Sequence, residues 1–240
     1  RLGGGDLRSF VIVLVMGVSA YATISGPLAK VRVNLFPVIP LETSTPPSIS
    51  YLGSQVFGIN PTAVGSIVGI IFIIYGFFNW KNKMTFNSIF WSLIVAVAIV
   101  GGWIGTSWVA TSTYEPISIQ SFTFVAPAGE AILYAMYGSA INIKFGIGAV
   151  LGVLIGAFLG SIIKGHFRWE ACEDPRELKR QILGASIMGV GAVISLGCSV
   201  GQGLTAFSTL SYSAPLTLLS IYLGARIGLF QLIEGFQPAE

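Results

Sequence analysis

Seven long apolar runs, divided by short stretches that carry most of the charge, leave this chain few folds to adopt. They cover residues 9–25, 62–79, 88–109, 122–141, 145–163, 183–198 and 214–233. A helix needs about 20 apolar residues to cross the hydrocarbon core of a bilayer, and most of these runs reach that length, several only just. Charged residues make up 10% of the chain, against about 25% in an average soluble domain. The sequence therefore predicts an all-α, multi-pass membrane protein. It is a polytopic helical bundle with short broken or re-entrant helices and pseudo-symmetric repeats, forming a single transmembrane domain over residues 1–240. No polar stretch is long enough for a separate soluble domain, and the lipid bilayer is the first partner implied.

The loops set the sidedness. Arg1 and Arg8 precede the first run, Lys81 and Lys83 separate the second from the third, and Lys164, Arg168, Arg176, Lys179 and Arg180 lie between the fifth and sixth. Positive charge of this kind marks the cytoplasmic side, so 164–182 is expected to be a cytoplasmic loop. The stretch 26–61, rich in Pro, Ser and Thr, is expected to be extracytoplasmic, as is the short loop that holds Glu115. The net charge of +3 reports this topology and not a nucleic-acid surface. If 122–141 crossed fully, the basic loop would fall on the wrong side. A dip and return resolves the conflict, and Ala126-Pro127-Ala128-Gly129-Glu130 has the turn-forming composition for it.

The chemistry concentrates at Gly197-Cys198-Ser199-Val200-Gly201-Gln202-Gly203-Leu204-Thr205. Irregular backbone at membrane depth survives where protein covers it or a polar path lines it, so a glycine-broken segment with a thiol points to a substrate route. The segment from residue 183 to 198 rises roughly 22 Å as a helix, which leaves Cys198 inside the bilayer. There a neutral thiol offers a soft, polarizable contact suited to a sulfur-bearing ligand. Plain packing accounts for a buried thiol equally well. Gly201 and Gly203 are expected to stop the helix, with Gly197, Ser199, Gln202 and Thr205 around the bend. The hydroxyls of the bend have an alternative use in bonding backbone. Gly4 and Gly5 of the opening glycine run join the candidate set. Two charges inside apolar runs, Glu130 and Arg226, are path residues or a structural pair with each other.

Other classes find little support. Ser-His-Asp arrangements, phosphate-binding glycine loops and paired catalytic carboxylates are missing, so no catalytic residue is assigned. His166 is the lone histidine and no metal set accompanies it; no metal or other cofactor is implied. Cys172, in the charged loop, is not expected to pair with Cys198.

The motifs Arg1-Leu2-Gly3-Gly4-Gly5-Asp6-Leu7-Arg8-Ser9, Phe124-Val125-Ala126-Pro127-Ala128-Gly129-Glu130, Phe167-Arg168-Trp169-Glu170 through Asp174-Pro175-Arg176-Glu177-Leu178, Met188-Gly189-Val190-Gly191 and Leu196 to Gly203 resemble the YeeE/YedE sulfur-transport family of bacterial inner-membrane proteins. The resemblance runs along essentially the whole chain, and the last motif is the most specific. It implies import of thiosulfate or a related small anion, with thiols handing the ion inward and Cys198 as the thiol of the carboxyl-terminal repeat. A cytoplasmic sulfur-carrier or rhodanese-like protein is an implied partner. Family members carry a further amino-terminal region, so the chain is expected to be the carboxyl-terminal portion of a longer transporter. A membrane thiol oxidoreductase and a non-transporting membrane subunit are the alternatives.

Overall fold

Each apolar run folds as a helix, and the ends of several helices are set by recognisable caps. The computed structural model describes residues 2–36, 48–83, 85–113, 117–139, 141–170 and 175–234. Nine α-helices lie among them: α1 (Leu7–Ile24), α2 (Ala29–Leu35), α3 (Ile49–Phe57), α4 (Pro61–Lys83), α5 (Phe86–Ser112), α6 (Val125–Tyr137), α7 (Phe145–Ile163), α8 (Pro175–Ile194) and α9 (Ser213–Glu234). A 3-10 turn, Leu2–Gly4, precedes α1, and a π-helical turn, Gly201–Ala206, precedes α9. Asp6 caps α1, its Oδ1 accepting from the Arg8 N–H at 3.0 Å and its Oδ2 from Ser9 Oγ at 2.8 Å. Pro61 and Pro175 open α4 and α8, where the missing N–H costs nothing.

By length and composition, α1, α5, α7 and residues 213–231 of α9 can each cross a membrane. The pair α3 and α4, bent by 115°, makes a fifth if read as one span. The chain is thus an all-α, multi-pass membrane protein. The stretch 26–61 is more than a loop, since it holds α2 and α3, and α8 already begins inside 164–182. Glu42, Glu115 and Cys172 lie outside the described residues.

The centre of the bundle is α1, held between α6 and α8. A bilayer offers no hydrophobic drive between helices, so close approach of small residues supplies the packing. At Gly129 of α6 a side chain would meet the Gly17 carbonyl oxygen at 2.6 Å, and at Gly189 of α8 it would meet Ser19 and the Met16 carbonyl of α1. Met16, Ala20, Val125, Ala128, Ala185 and Val193 close the buried cluster around these contacts. Arg8 pairs with Glu177 at 3.8 Å while Gly189 sits beside Met16 and Ala20, so α1 and α8 run side by side in the same direction.

The first residues are strapped to the far end of α7. Arg168 N–H donates to the Gly4 carbonyl at 3.0 Å, Glu170 N–H to the Gly5 carbonyl at 3.2 Å, and Leu7 N–H to the Glu170 carbonyl at 3.2 Å. Gly5 adopts φ +95°, and Gly3 lies directly on the backbone of Ala157 and Phe158. Residues 2–8, the end of α7, the stretch 164–170 and the start of α8 therefore share one face. Burial alone would raise the Asp6 carboxyl here. The hydrogen bonds from Ser9 and from the Arg8 backbone, with the Arg8 charge, outweigh it and hold Asp6 below its ordinary range.

With 13 residues, α6 is about 20 Å long, too short for a core near 30 Å. An extended segment, 117–124, leads into it. The chain then doubles back: Gly146 abuts Pro127, and Lys144 Nζ reaches Glu130 Oε1 at 3.3 Å.

Candidate functional site

The break after α8 is built by a left-handed cap. Leu196 N–H donates to the Val193 carbonyl at 3.2 Å and Gly197 N–H to the Ala192 carbonyl at 2.8 Å, the paired bonds of a Schellman turn. The same pair of bonds closes α7, with Gly165 at the left-handed position. At the end of α8 that position is Leu196, φ 60°, where a side chain costs about 1–2 kcal/mol. Leu210, φ 53°, caps the segment that follows the π-helical turn in the same way. The helix therefore stops at Leu196, and the expectation that Gly201 and Gly203 stop it is corrected. Both glycines lie within the π-helical turn. Gly201 lets the turn approach Thr123, whose Oγ1 would be 2.8 Å from an added methyl, and Gly203 sits under Leu218.

Polar side chains inside the bundle are spent on holding irregular backbone, as a water-free setting demands. Gln202, 4% exposed, donates from Nε2 to the Ser195 carbonyl at 3.0 Å, accepts at Oε1 from Ser213 Oγ at 3.1 Å, and its N–H reaches the Cys198 carbonyl at 2.7 Å. Thr205 Oγ1 donates to the Phe122 carbonyl at 2.7 Å. Ser121 Oγ donates to the Ile99 carbonyl at 2.8 Å, and Thr106 Oγ1 bonds the Gln120 carbonyl at 2.8 Å and accepts its N–H at 3.2 Å. Residues 117–124 are thereby fixed between the middle of α5 and the π-helical turn. Gln202 and Thr205, expected near a ligand, use their donors to build the bend.

Cys198 is half-buried and free, packed against the cluster of Met16, Ala20, Val125, Ala128, Ala185 and Val193. Gly197, Gly201, Gln202 and Thr205 surround it in the chain, while Ser199 is exposed. Gly4 and Gly5 are not brought to this place. Some eleven residues of α1 and its cap separate Gly5 from Met16, roughly 15 Å along the helix axis. Glu130 and Arg226 do not pair. Glu130 is half-buried and bonded to Lys144, which the return of the chain brings alongside, and Arg226 is exposed on α9, which packs chiefly against the π-helical turn. A cavity of about 1150 Å³ opens among α3, α4, α5 and residues 203–211. Its lining includes Gly203, Ser208 and Ser211 but not Cys198. Among the described residues no three His, Cys, Asp or Glu side chains gather to hold a metal ion.

A multi-pass bundle in which a helix too short to span, an extended segment and a broken helix meet beside a thiol has the build of a membrane transport protein. The chain belongs to the sulphur-transport family, whose sequence profile matches residues 1–227. It is similar to the thiosulfate transporter TsuA of Spirochaeta thermophila, with 26% identity over 93% of this chain and 67% of that protein. It is also similar to the thiosulfate transporter TsuA of Escherichia coli, 30% identical over 41% of this chain and 28% of that protein.

Proposed function

We propose that this chain is the permease portion of a transporter, not an enzyme, that imports thiosulfate across the bacterial inner membrane. One observation carries the reading: the break after Ile194 sets the half-buried free thiol of Cys198 against the buried cluster where α1, α6 and α8 converge, to which Val125 and Ala128 of the first turn of α6 belong. The first N–H groups of α6 have no intrahelical partner, and Phe124 at its cap supplies no side-chain oxygen. An anion arriving there meets positive partial charge without a buried cation. Cys198 adds an S–H for the terminal sulfur of thiosulfate, a contact that sulfate lacks. The names of the two relatives support the same ion.

On this reading the ion leaves at the face that carries Lys164 and Arg168. A cytoplasmic sulfur-carrier or rhodanese-like protein there receives it. The test is uptake of radiolabelled thiosulfate by cells whose only transporter of this kind contains this chain. C198A is expected to lose at least tenfold in uptake with unchanged membrane content, and C172A is expected to be neutral. Wild-type uptake by C198A would remove the thiol from the mechanism.

A further inference from the structure

Around the bend, half-buried and buried hydroxyls have partners. Thr106, Ser121 and Thr205 hold the extended segment, Ser195 bonds the Gly197 carbonyl at 2.8 Å, and Ser213 bonds Gln202. Thr123 is the exception. Its side chain is half-buried and takes part in none of the hydrogen bonds among the described residues. Among the described residues, Ser161 Oγ and Gln181 Oε1 are the unpaired side-chain atoms sealed from solvent; Thr123 Oγ1 is not one of them, so a small visitor can touch it.

Its position is defined from both sides. Thr123 Oγ1 lies against Gly201, one helical turn beyond Cys198, because the Gln202 N–H bonds the Cys198 carbonyl. In its own segment it directly precedes Phe124, the cap residue of α6. The carbonyl of its neighbour Phe122 is pinned by Thr205, which fixes the backbone that carries the free hydroxyl. A reachable hydroxyl with no protein partner, carried on pinned backbone next to an uncapped helix start, is free to donate to a guest.

We propose that Thr123 is the oxygen-side contact of the anion site and a determinant of its selectivity, an inference that rests on the permease reading above. Thiosulfate has two unlike ends, three hard oxygens and one soft sulfur. The Thr123 hydroxyl donates to one oxygen while Cys198 faces the sulfur, so the site reads the ion in one orientation. Sulfate offers the first contact and not the second. Sites that hydrogen-bond a ligand group discriminate far better than those that only fit its shape.

The experiment measures concentration-dependent thiosulfate uptake, with sulfate as competitor, for the complete transporter carrying T123V, T123S or C198A. T123V keeps the branched shape against Gly201 and removes the donor. It is expected to raise the half-saturation concentration about tenfold, with maximal rate and membrane content within about twofold, the loss typical of one hydrogen bond to an ion. T123S is expected to restore half-saturation to within about threefold. T123V is also expected to weaken inhibition by sulfate. Unchanged half-saturation in T123V, or an equal defect in T123V and T123S, overturns the assignment. A poor yield of T123V is met by T123A, which faces the same criterion. Normal uptake by C198A sinks the permease mechanism itself, whereas a dead C198A beside a normal T123V sinks only the role of Thr123.

Discussion

Gly129 on α6 and Gly152 on α7 are both helical glycines in apolar runs, yet their surroundings are opposite. A methyl on Gly129 would strike the Gly17 carbonyl at 2.6 Å, while nothing lies within 4 Å of one on Gly152. The contrast extends to the regions they represent. In the α1–α6–α8 centre, backbones touch through Gly17, Gly129 and Gly189. On the outward surfaces of α4, α5, α7 and α9, large side chains such as Ile73, Leu93, Leu151 and Leu216 are exposed. Close contact thus gathers where the irregular backbone must be held, and the surroundings are left smooth for lipid or neighbouring helices.

Substitution of each glycine puts that contrast to the sharpest test. G129A should destabilise the folded protein by about 3 kcal/mol or more, since the obstacle is backbone that cannot rotate away. G152A should be neutral or slightly stabilising, because alanine is the better helix former. Thermal unfolding in detergent measures both, and similar losses for the two variants would erase the distinction drawn here. T205V comes next in size. It leaves the Phe122 carbonyl unpaired in the interior and should cost about 1–3 kcal/mol.

The smallest effect is expected at the rim of the centre. D6A removes the cap of α1 and should cost about 1 kcal/mol near neutral pH. Asp6 titrates below its ordinary 3.8, so its contribution is complete above that value and is lost as the pH falls through the lowered one. The gap between wild type and D6A should therefore begin to close below about pH 3.8 and vanish only below the lowered value. A gap that persists in acid would mean the carboxylate is not the stabilising group.

Much of the fold was legible because hydrophobic length reports helices directly. The runs 145–163 and 214–233 coincide with α7 and α9 almost to the residue, and the basic residues near Arg8 and Arg168 do share a face. The glycines of the bend were legible as a break but misled on its location, since Leu196 takes the strained position that composition assigns to glycine. The partners of the hydroxyls were hidden. Thr205 meets Phe122 across 83 residues and Ser48 meets Thr209 across 161, and no local period encodes such pairs. Lys144 escaped notice as the partner of Glu130 because it lies outside the apolar run, at the foot of α7. Thr123 escaped for the opposite reason: its significance is the lack of a bond, which only a full set of neighbours reveals.

The parallel pairing of α1 with α8 has a consequence for biosynthesis. At common ribosomal speeds of about 5–20 residues per second, the 150 or so residues between the end of α1 and the start of α8 take roughly 8–30 s to emerge. Throughout that interval the helix destined for the middle must wait in lipid without one of its two flanking neighbours. The narrow glycine groove it keeps vacant is completed only once α8 has emerged, so the thiol-bearing bend assembles after α1 to α7 are already in place.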